Sequence, residues 1–282
     1  MFPPRLAIVL CTLVLLTGTA RWCPAADDDQ RATLAKLNAA IDQYPKRADA
    51  YLYRGLIWQQ MGERTRAMQD FDTAIILNPK VADGYAHRAI VWQELGKLEN
   101  AVTDFSTAIK LDPGDASNFV LRGTARHSLG EIDLAIKDWS EAIRLDPKQA
   151  ETYMQRALAW GMKDEFEKAL KDCAAALRIN PRLRPVWQLQ GWIKATCPDA
   201  RFRDGPRAVQ SAEKACTLAE WKDAFAVETL AAAYAETGDF ASALRWQKKA
   251  ITLMGPADAA LPDARLRLSL YESRKPFRDD SR

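Results

Sequence analysis

The sequence has few histidines, a residue on which much metal and hydrolytic chemistry depends. Histidine occurs only at His87 and His127, in different parts of the chain and far from any metal-ligand spacing. No glycine-rich phosphate loop, nucleophile elbow or His-Glu-x-x-His helix is present. The sequence therefore predicts no catalytic residue, no cofactor and no metal ion, and we expect the protein not to be an enzyme.

An excess of one charge is also missing. The chain has 40 lysines and arginines against 37 acidic residues, a formal net charge of +3. A general nucleic-acid binder needs a strongly basic face to neutralise phosphates, so no nucleic-acid partner is expected. Hydrophobic residues make up 48% of the chain, which is ample material for a core.

A long apolar run occurs near the N-terminus and has the layout of an export signal. A basic residue precedes the apolar stretch 6–16, and small residues and an acidic cluster follow it. The stretch is too short to span a bilayer comfortably, which favours a signal peptide over residues 1–26, cleaved after Ala25 or Ala26. An uncleaved anchor and lipidation at Cys23 remain alternatives. The mature protein is expected to be periplasmic or extracellular, with no membrane contact beyond this signal.

The rest of the chain repeats with a period of 34 residues. Counted from Ala48, four consecutive units keep a small residue at position 8, alanine at positions 20 and 27, and proline at position 32. These residues are Gly55, Ala89, Gly123 and Ala157; Ala67, Ala101, Ala135 and Ala169; Ala74, Ala108, Ala142 and Ala176; and Pro79, Pro113, Pro147 and Pro181. Four positions kept in register over four units indicate a repeat architecture.

Each unit is predicted to be a helical hairpin. Aromatic residues recur at helical spacing in its first half, as in Tyr51 with Trp58. Gly62, Gly96 and Gly130 supply the backbone freedom that ends the first helix. The residue before each repeated proline is pushed out of helical geometry, which ends the second helix. Because one hairpin cannot bury its apolar side alone, the sequence predicts an all-α, right-handed superhelical solenoid of about five to six stacked hairpins with capping helices.

At these positions the chain resembles the tetratricopeptide-repeat (TPR) family. That family's pattern has a small residue at 8, an aromatic at 11, glycine at 15, alanine at 20, an aromatic at 24, alanine at 27 and proline at 32. Units 48–81 and 82–115 meet it nearly completely. The third unit departs from it with Arg126 at position 11, and the fourth with Asp164 at 15 and Cys173 at 24.

The same register gives the domain organisation. The predicted segments are a signal peptide at 1–26, a half-repeat or capping helix at 27–47, regular units at 48–81, 82–115, 116–149 and 150–183, a TPR-like unit with an extended turn at 184–222, a further unit at 223–256, and a capping helix with a tail at 257–282. The final residues, KPFRDDSR, are expected to be frayed.

Position 7 carries arginine and position 23 carries aspartate in all four regular units. They are Arg54, Arg88, Arg122 and Arg156, and Asp70, Asp104, Asp138 and Asp172. A row of arginines could bind phosphates or acidic peptides. The constant offset between four arginines and four aspartates instead favours an internal ion pair within each hairpin.

The stretch TCPDARFRDG, residues 196–205, is the turn between the two helices of the fifth unit, lengthened by an insertion of five residues. Its charged residues, Asp199, Arg201, Arg203 and Asp204, are expected to satisfy one another. Together with the sequence that follows, it resembles a C-terminal module of exported bacterial TPR proteins. A structured turn is the favoured interpretation, and a partner-contacting loop or an active site are the alternatives.

Three cysteines remain after export, namely Cys173, Cys197 and Cys216. Cys216 lies about ten residues into the helix that follows the inserted turn, roughly 15 Å from Cys197 at the helical rise. A bridge between them is left open, and the odd number leaves at least one free thiol.

The TPR resemblance implies that positions 2, 5, 9, 12 and 13 of each unit line a concave groove. Carried over to this sequence, the candidate partner-binding residues are Leu52, Leu56, Gln59, Gln60, Ala86, Ile90, Gln93, Glu94, Val120, Thr124, His127, Met154, Leu158 and Met162. None of them is lysine or arginine, so the basic clamp with which some family members hold a carboxylate tail is absent. A peptide with apolar anchors suits this set better.

The expected function is therefore a non-enzymatic scaffold or adaptor that binds a peptide segment of a protein partner in its concave groove, outside the cytoplasm. The alternative is a structural module that self-associates through its ends and has no groove ligand. A homo-oligomer is compatible with either.

Overall fold

The computed structural model describes residues 24–255 and 257–279, and all regular structure in these ranges is helical. The α-helices are α1 (Pro24–Gln43), α2 (Ala48–Gln60), α3 (Arg64–Leu77), α4 (Ala82–Glu94), α5 (Leu98–Leu111), α6 (Ala116–Ser128), α7 (Ile132–Leu145), α8 (Ala150–Met162), α9 (Phe166–Ile179), α10 (Arg184–Thr196), α11 (Gly205–Leu218), α12 (Ala224–Glu236), α13 (Phe240–Leu253) and α14 (Leu261–Glu272), with a 3₁₀ turn at Ala200–Phe202. The all-α prediction is confirmed. None of these helices is long and apolar enough to cross a membrane. Residues 1–23 of the predicted signal peptide lie outside the described ranges.

The described residues form two compact units that divide after Pro147. In the first unit, α2 packs on α3, α4 on α5 and α6 on α7, while α1 packs on α2. In the second, α8 packs on α9, α10 on α11 and α12 on α13, and α14 packs on α13. Within each unit the second helix of one hairpin also packs on the first helix of the next, so each unit is a stack of hairpins.

The turns inside the hairpins depend on left-handed backbone conformations. Gly62, Gly96, Gly130 and Gly238 have φ of 76°, 72°, 81° and 84°, which a residue without a Cβ adopts at little cost. In the fourth repeat the same place is taken by Asp164, with φ of 58°. This turn therefore keeps the geometry of the others with a residue that is less suited to it.

Asp164→Gly is expected to stabilise the protein by up to about 1 kcal/mol, because it relieves the left-handed strain of a residue with a Cβ. Chemical denaturation would show this as a higher midpoint with an unchanged slope. The reverse change in the neighbouring repeat, Gly130→Asp, is the matched control and should lower the midpoint. If both variants unfold like the parent, the turn conformation does not limit stability.

Small residues at position 8 allow the two helices of a hairpin to approach closely. A Cβ placed on Gly123 would lie 2.8 Å from Nε1 of Trp139, and one on Gly55 would lie 2.6 Å from the ring of Phe71. Both rings are fully buried. The repeated small residue thus makes room for the aromatic side chain that fills the hairpin core.

The predicted ion pair between positions 7 and 23 is present in all four regular repeats. The shortest nitrogen–oxygen distances are 2.7 Å for Arg54–Asp70, 2.7 Å for Arg88–Asp104, 2.7 Å for Arg122–Asp138 and 2.8 Å for Arg156–Asp172. Each is bidentate, with Nε on one carboxylate oxygen and Nη2 on the other. We call these four pairs the arginine clamps.

The clamps of the first unit also connect neighbouring hairpins. The Nη1 atom of each arginine donates to an acceptor 16 residues earlier, on the preceding helix. The pairs are Arg54 with Asn38 at 2.8 Å, Arg88 with Asp72 at 2.6 Å, and Arg122 with Ser106 at 3.0 Å. Each guanidinium therefore ties its own two helices together and fixes them to the helix before.

Arg126, the departure from the family pattern at position 11, belongs to the same arrangement. Its Nη1 donates to Oδ2 of Asp138 at 2.8 Å, so this carboxylate accepts from two guanidinium groups. In the third repeat, the aromatic residue expected at position 11 is thus replaced by a second arginine that binds the clamp aspartate.

The inserted turn is structured, as predicted, but its charges pair differently from the expectation. Asp199 accepts from Arg201, and Asp204 caps α11 by accepting from the backbone N–H of Arg207. Arg203 instead reaches Glu236 at the end of α12, with Nε 3.1 Å from Oε1. The prediction that these four residues satisfy one another is wrong for Arg203 and Asp204, whose ion-pair partners, Glu236 and Arg207, lie outside the stretch.

The expectation of a frayed C-terminus is also wrong for residues 275–279. The backbone N–H of Asp279 donates to the carbonyl of Thr196 at 3.0 Å, and the ring of Phe277 packs against Trp192. This segment turns back onto the stack because it carries both an aromatic anchor and hydrogen-bonding groups.

Cys173, Cys197 and Cys216 are buried free thiols, so none of these three forms a bridge. Burial raises the pKa of each thiol, and for Cys216 the pKa reaches about 12. All three therefore stay protonated at neutral pH and act as small apolar side chains.

Candidate functional site

The candidate groove residues lie on the first helices of the four regular repeats. Eleven of them lie on α2, α4 and α6 of the first unit, where α2 packs on α4 and α4 on α6. The other three, Met154, Leu158 and Met162, lie on α8 of the second unit.

Four of the candidates are buried. Leu52 packs with Phe71 and Val91, while Met154 and Leu158 belong to the large core of the second unit. The fourth is Ala86. These side chains support the surface from beneath, and a partner would reach them only after the helices had moved.

The remaining ten candidates are accessible. Those that are half-buried are Leu56, Gln59, Ile90, Gln93, Val120, Thr124 and His127, and those that are exposed are Gln60, Glu94 and Met162. Leu56, Ile90 and Val120 rest on the apolar cores of successive hairpins. The first unit therefore presents apolar side chains on consecutive first helices, with polar residues near the helix ends.

Among the candidate residues themselves, only Glu94 carries a charge. Glu94 is paired with Arg64, whose Nε lies 2.6 Å from Oε2, and Oε1 of Gln59 lies 3.2 Å from Nδ1 of His87. Burial lowers the pKa of both His87 and His127, with Asp83 partly opposing the shift at His87. Both rings are neutral at pH 7, which agrees with a surface suited to an apolar anchor.

The lowered histidine pKa values predict that stability depends on pH. The unfolded chain binds these protons at the ordinary pKa of 6.5 and the folded chain only at lower pH, so protonation favours unfolding. The free energy of unfolding is therefore expected to fall as the pH is lowered from 7.5 to 5.5. Urea unfolding at several pH values measures this, and His87→Gln/His127→Gln should remove most of the dependence in that range. The same slope in this double variant would assign the effect to other groups.

Sequence reasoning did not extend the groove positions into the last two repeats. The same count places Trp192 at position 9 and Thr196 at position 13 of the fifth repeat. In the sixth repeat, counted from Ala224 so that Ala231 is position 8, it places Phe225 at position 2 and Glu236 at position 13. The C-terminal segment contacts Trp192, Thr196 and Glu236 directly, and Phe225 packs against Trp192. Continuing the count through α10 and α12 would have identified them.

Within the described ranges, no group of three or more His, Cys, Asp or Glu side chains is arranged to hold a metal ion. The charged groups of the 196–205 stretch are engaged in the pairs and the helix cap given above.

Three stretches of the chain match models of known repeats. Residues 82–115 and 228–254 match tetratricopeptide-repeat models, and residues 123–164 match a TPR-repeat model. None of these matches covers the 196–205 stretch, so the resemblance of that module remains a prediction. No curated protein matches the chain in sequence.

Solved structures with the same fold are numerous. The C-terminal part of a TPR repeat-containing protein from Cytophaga hutchinsonii is 17% identical, with a TM-score of 0.65 over 85% of this chain and 95% of the other. A tetratricopeptide repeat protein from Parabacteroides merdae is 18% identical, with a TM-score of 0.55 over 88% and 94%. YrrB, described as a TPR protein with an unusual peptide-binding site, is 18% identical, with a TM-score of 0.52 over 82% and 97%.

At such low identity these likenesses establish the fold, while the matched stretches establish the kind of repeat. The helix bounds, the glycine turns and the recurring small residues agree with both. The chain thus contains tetratricopeptide repeats, over residues 82–115, 123–164 and 228–254.

Proposed function

We propose that the protein is a non-enzymatic protein–protein interaction scaffold whose first unit binds a peptide segment of a partner along α2, α4 and α6. The observation that carries the proposal is the set of half-buried apolar side chains Leu56, Ile90 and Val120, one on each helix. Apolar side chains repeated along a surface are what a peptide with apolar anchors requires. The peptide-binding site named for YrrB supports the same use of this fold.

The neutral character of the surface favours apolar recognition over charge recognition. Its histidines are uncharged at pH 7 and its glutamate is paired with an arginine. We therefore propose a partner segment with apolar side chains and without a cluster of acidic groups. From the N-terminal sequence pattern, we propose that binding takes place outside the cytoplasm, in the periplasm or the extracellular space.

The test compares two lysine substitutions of isoleucine in affinity capture from an extracytoplasmic extract. Ile90→Lys places a charge on the proposed surface, whereas Ile76→Lys places one on the second helix of a hairpin, at a side chain that is 77% exposed. A partner retained by the parent and by Ile76→Lys but lost by Ile90→Lys, with helicity unchanged, is the expected result. If all three capture the same proteins, this surface does not bind the partner. Self-association unaffected by either substitution would indicate the structural alternative.

A further inference from the structure

The C-terminal segment Pro276–Asp279 lies along the first helices of the last two repeats in the manner of a bound peptide. After α14, Arg274 adopts a left-handed conformation with φ of 55°, and the N–H of Lys275 donates to the carbonyl of Leu270 at 2.9 Å. The chain thereby leaves the helix and returns to α10 without regular structure of its own. We call residues 276–279 the tail.

The end of the tail is held by both backbone and side chain. The N–H of Asp279 donates to the carbonyl of Thr196 at 3.0 Å, and its carboxylate accepts from Nε1 of Trp192 at 2.8 Å. Outside the tail, the Trp192 ring packs against Phe225 of α12 with 5.3 Å between ring centres, which holds its indole N–H in place. These two contacts would recognise an acidic residue at this position of any extended peptide.

The two preceding side chains of the tail have their own partners. Arg278 lies with Nη2 2.6 Å from Oε2 of Glu236. The ring of Phe277 is 5.9 Å from that of Trp192, and the guanidinium of Arg267 lies 5.2 Å from the centre of the Phe277 ring. An aromatic residue, an arginine and an acid in sequence thus each meet a complementary group.

The receiving surface is held in place by residues outside the tail. Arg203 of the inserted turn fixes Glu236, and its Nη1 also donates to the carbonyls of Cys197 and Pro198. On the other side, Glu228 accepts from Nε of Arg267 at 2.9 Å. The extended turn of the fifth repeat therefore has a structural task, because it orients the carboxylate that binds the tail arginine.

We propose that the first helices of the last two repeats form a peptide-binding site that the chain's own tail occupies, and that a partner peptide with an aromatic–arginine–acid triplet competes for it. This site is separate from the surface proposed for the first unit. A short segment without regular structure opens at low cost, so the tail can act as a replaceable internal ligand. At an effective concentration of about 1 mM, a tethered tail whose own Kd for the site is ~100 µM raises the apparent Kd of a competing partner by about tenfold.

The test uses the full chain and a labelled peptide with the sequence of residues 273–282, SRKPFRDDSR, in fluorescence anisotropy. Phe277→Ala/Arg278→Ala in the protein releases the tail and should bind the peptide about tenfold or more tightly than the parent does. A peptide with alanine at the same phenylalanine and arginine is the matched control and should not bind. Adding Ile90→Lys to the released variant should leave peptide binding unchanged, which separates this site from the surface of the first unit.

Two results would overturn the proposal. One is that the released variant does not bind the peptide, although its helical content equals that of the parent and its unfolding is equally cooperative. The other is equal binding by the parent and the released variant, which would mean that the tail does not block the surface. Should the released variant fold poorly, hydrogen exchange of the Asp279 amide in the parent decides the question. Excess unlabelled peptide must accelerate that exchange, and an unchanged rate refutes competition.

Discussion

Asp138→Ala is expected to lower the free energy of unfolding by about 3–5 kcal/mol, because it leaves two guanidinium groups without their shared carboxylate. Asp138 is 3% exposed and accepts from Arg122 through both oxygens and from Arg126 through Oδ2. Removal of the buried anion strands two positive charges close together. Equilibrium denaturation, with far-ultraviolet circular dichroism as the signal, measures the loss.

Glu141→Ala in the same helix is the control for this change. Glu141 forms an ion pair with Arg144 at the surface, at 2.6 Å, and this pair is open to solvent. Exposed pairs contribute little to stability, so the variant should unfold close to the parent. If the two substitutions lower the free energy of unfolding equally, burial of the clamp does not add to its stability. The clamps would then contribute no more than exposed ion pairs do.

Glu228→Ala is expected to have an effect of similar size in the second unit, about 3–5 kcal/mol. Glu228 is 1% exposed, and its Oε1 accepts from Nε of Arg267 and from Nε2 of Gln247, both at 2.9 Å. Because Arg267 is itself buried, loss of the carboxylate leaves a charge that neither water nor another acid compensates. Thermal and chemical unfolding should both show the destabilisation.

Two further variants show whether the charge or only the volume of Glu228 matters. Glu228→Gln keeps the size and an acceptor oxygen, and should retain part of the lost stability. Glu213→Ala removes an exposed glutamate of α11, whose side chain accepts only a 3.3 Å hydrogen bond from Tyr234, and should have little effect. A Glu228→Ala variant as stable as Glu213→Ala would contradict a role for the buried carboxylate.

Much of the fold follows from the sequence because each repeat is a local structure repeated in register. The helix ends depend on glycine and on the residue before proline, which are properties of single positions. The arginine clamps were predictable for a related reason. Arginine and aspartate are 16 residues apart in every regular repeat, and a constant offset within one hairpin becomes a constant distance.

Exposure of the candidate groove residues does not follow from their positions in the repeat. Leu52, Val120 and Met154 all occupy position 5, yet Leu52 and Met154 are buried while Val120 is half-buried. The difference depends on the neighbouring side chains, which vary between repeats. The position in the repeat predicts the helix face on which a residue lies, but it does not predict how deeply the side chain is buried.

The docked tail could not be predicted from a local pattern. The hydrogen bond between Trp192 and Asp279 joins residues 87 positions apart, and that between Arg203 and Glu236 joins residues 33 apart. Neither pair belongs to the 34-residue register of the regular units. Such contacts arise where the repeat pattern has been modified, here by the insertion in the fifth repeat and by the segment after α14.

The backward contact of the arginine clamps limits how the length of the first unit can change during evolution. Each arginine from Arg54 to Arg122 meets an acceptor on the preceding helix at the same offset. Loss of residues 82–115, one whole period, would bring Arg122 opposite Asp72, an acceptor at least as good as Ser106. A deletion of a few residues between the arginine and its acceptor would change this offset of 16 and so remove the alignment of the two groups. Lineages of this protein should therefore gain or lose complete repeats in this region more readily than they gain or lose a few residues within a helix.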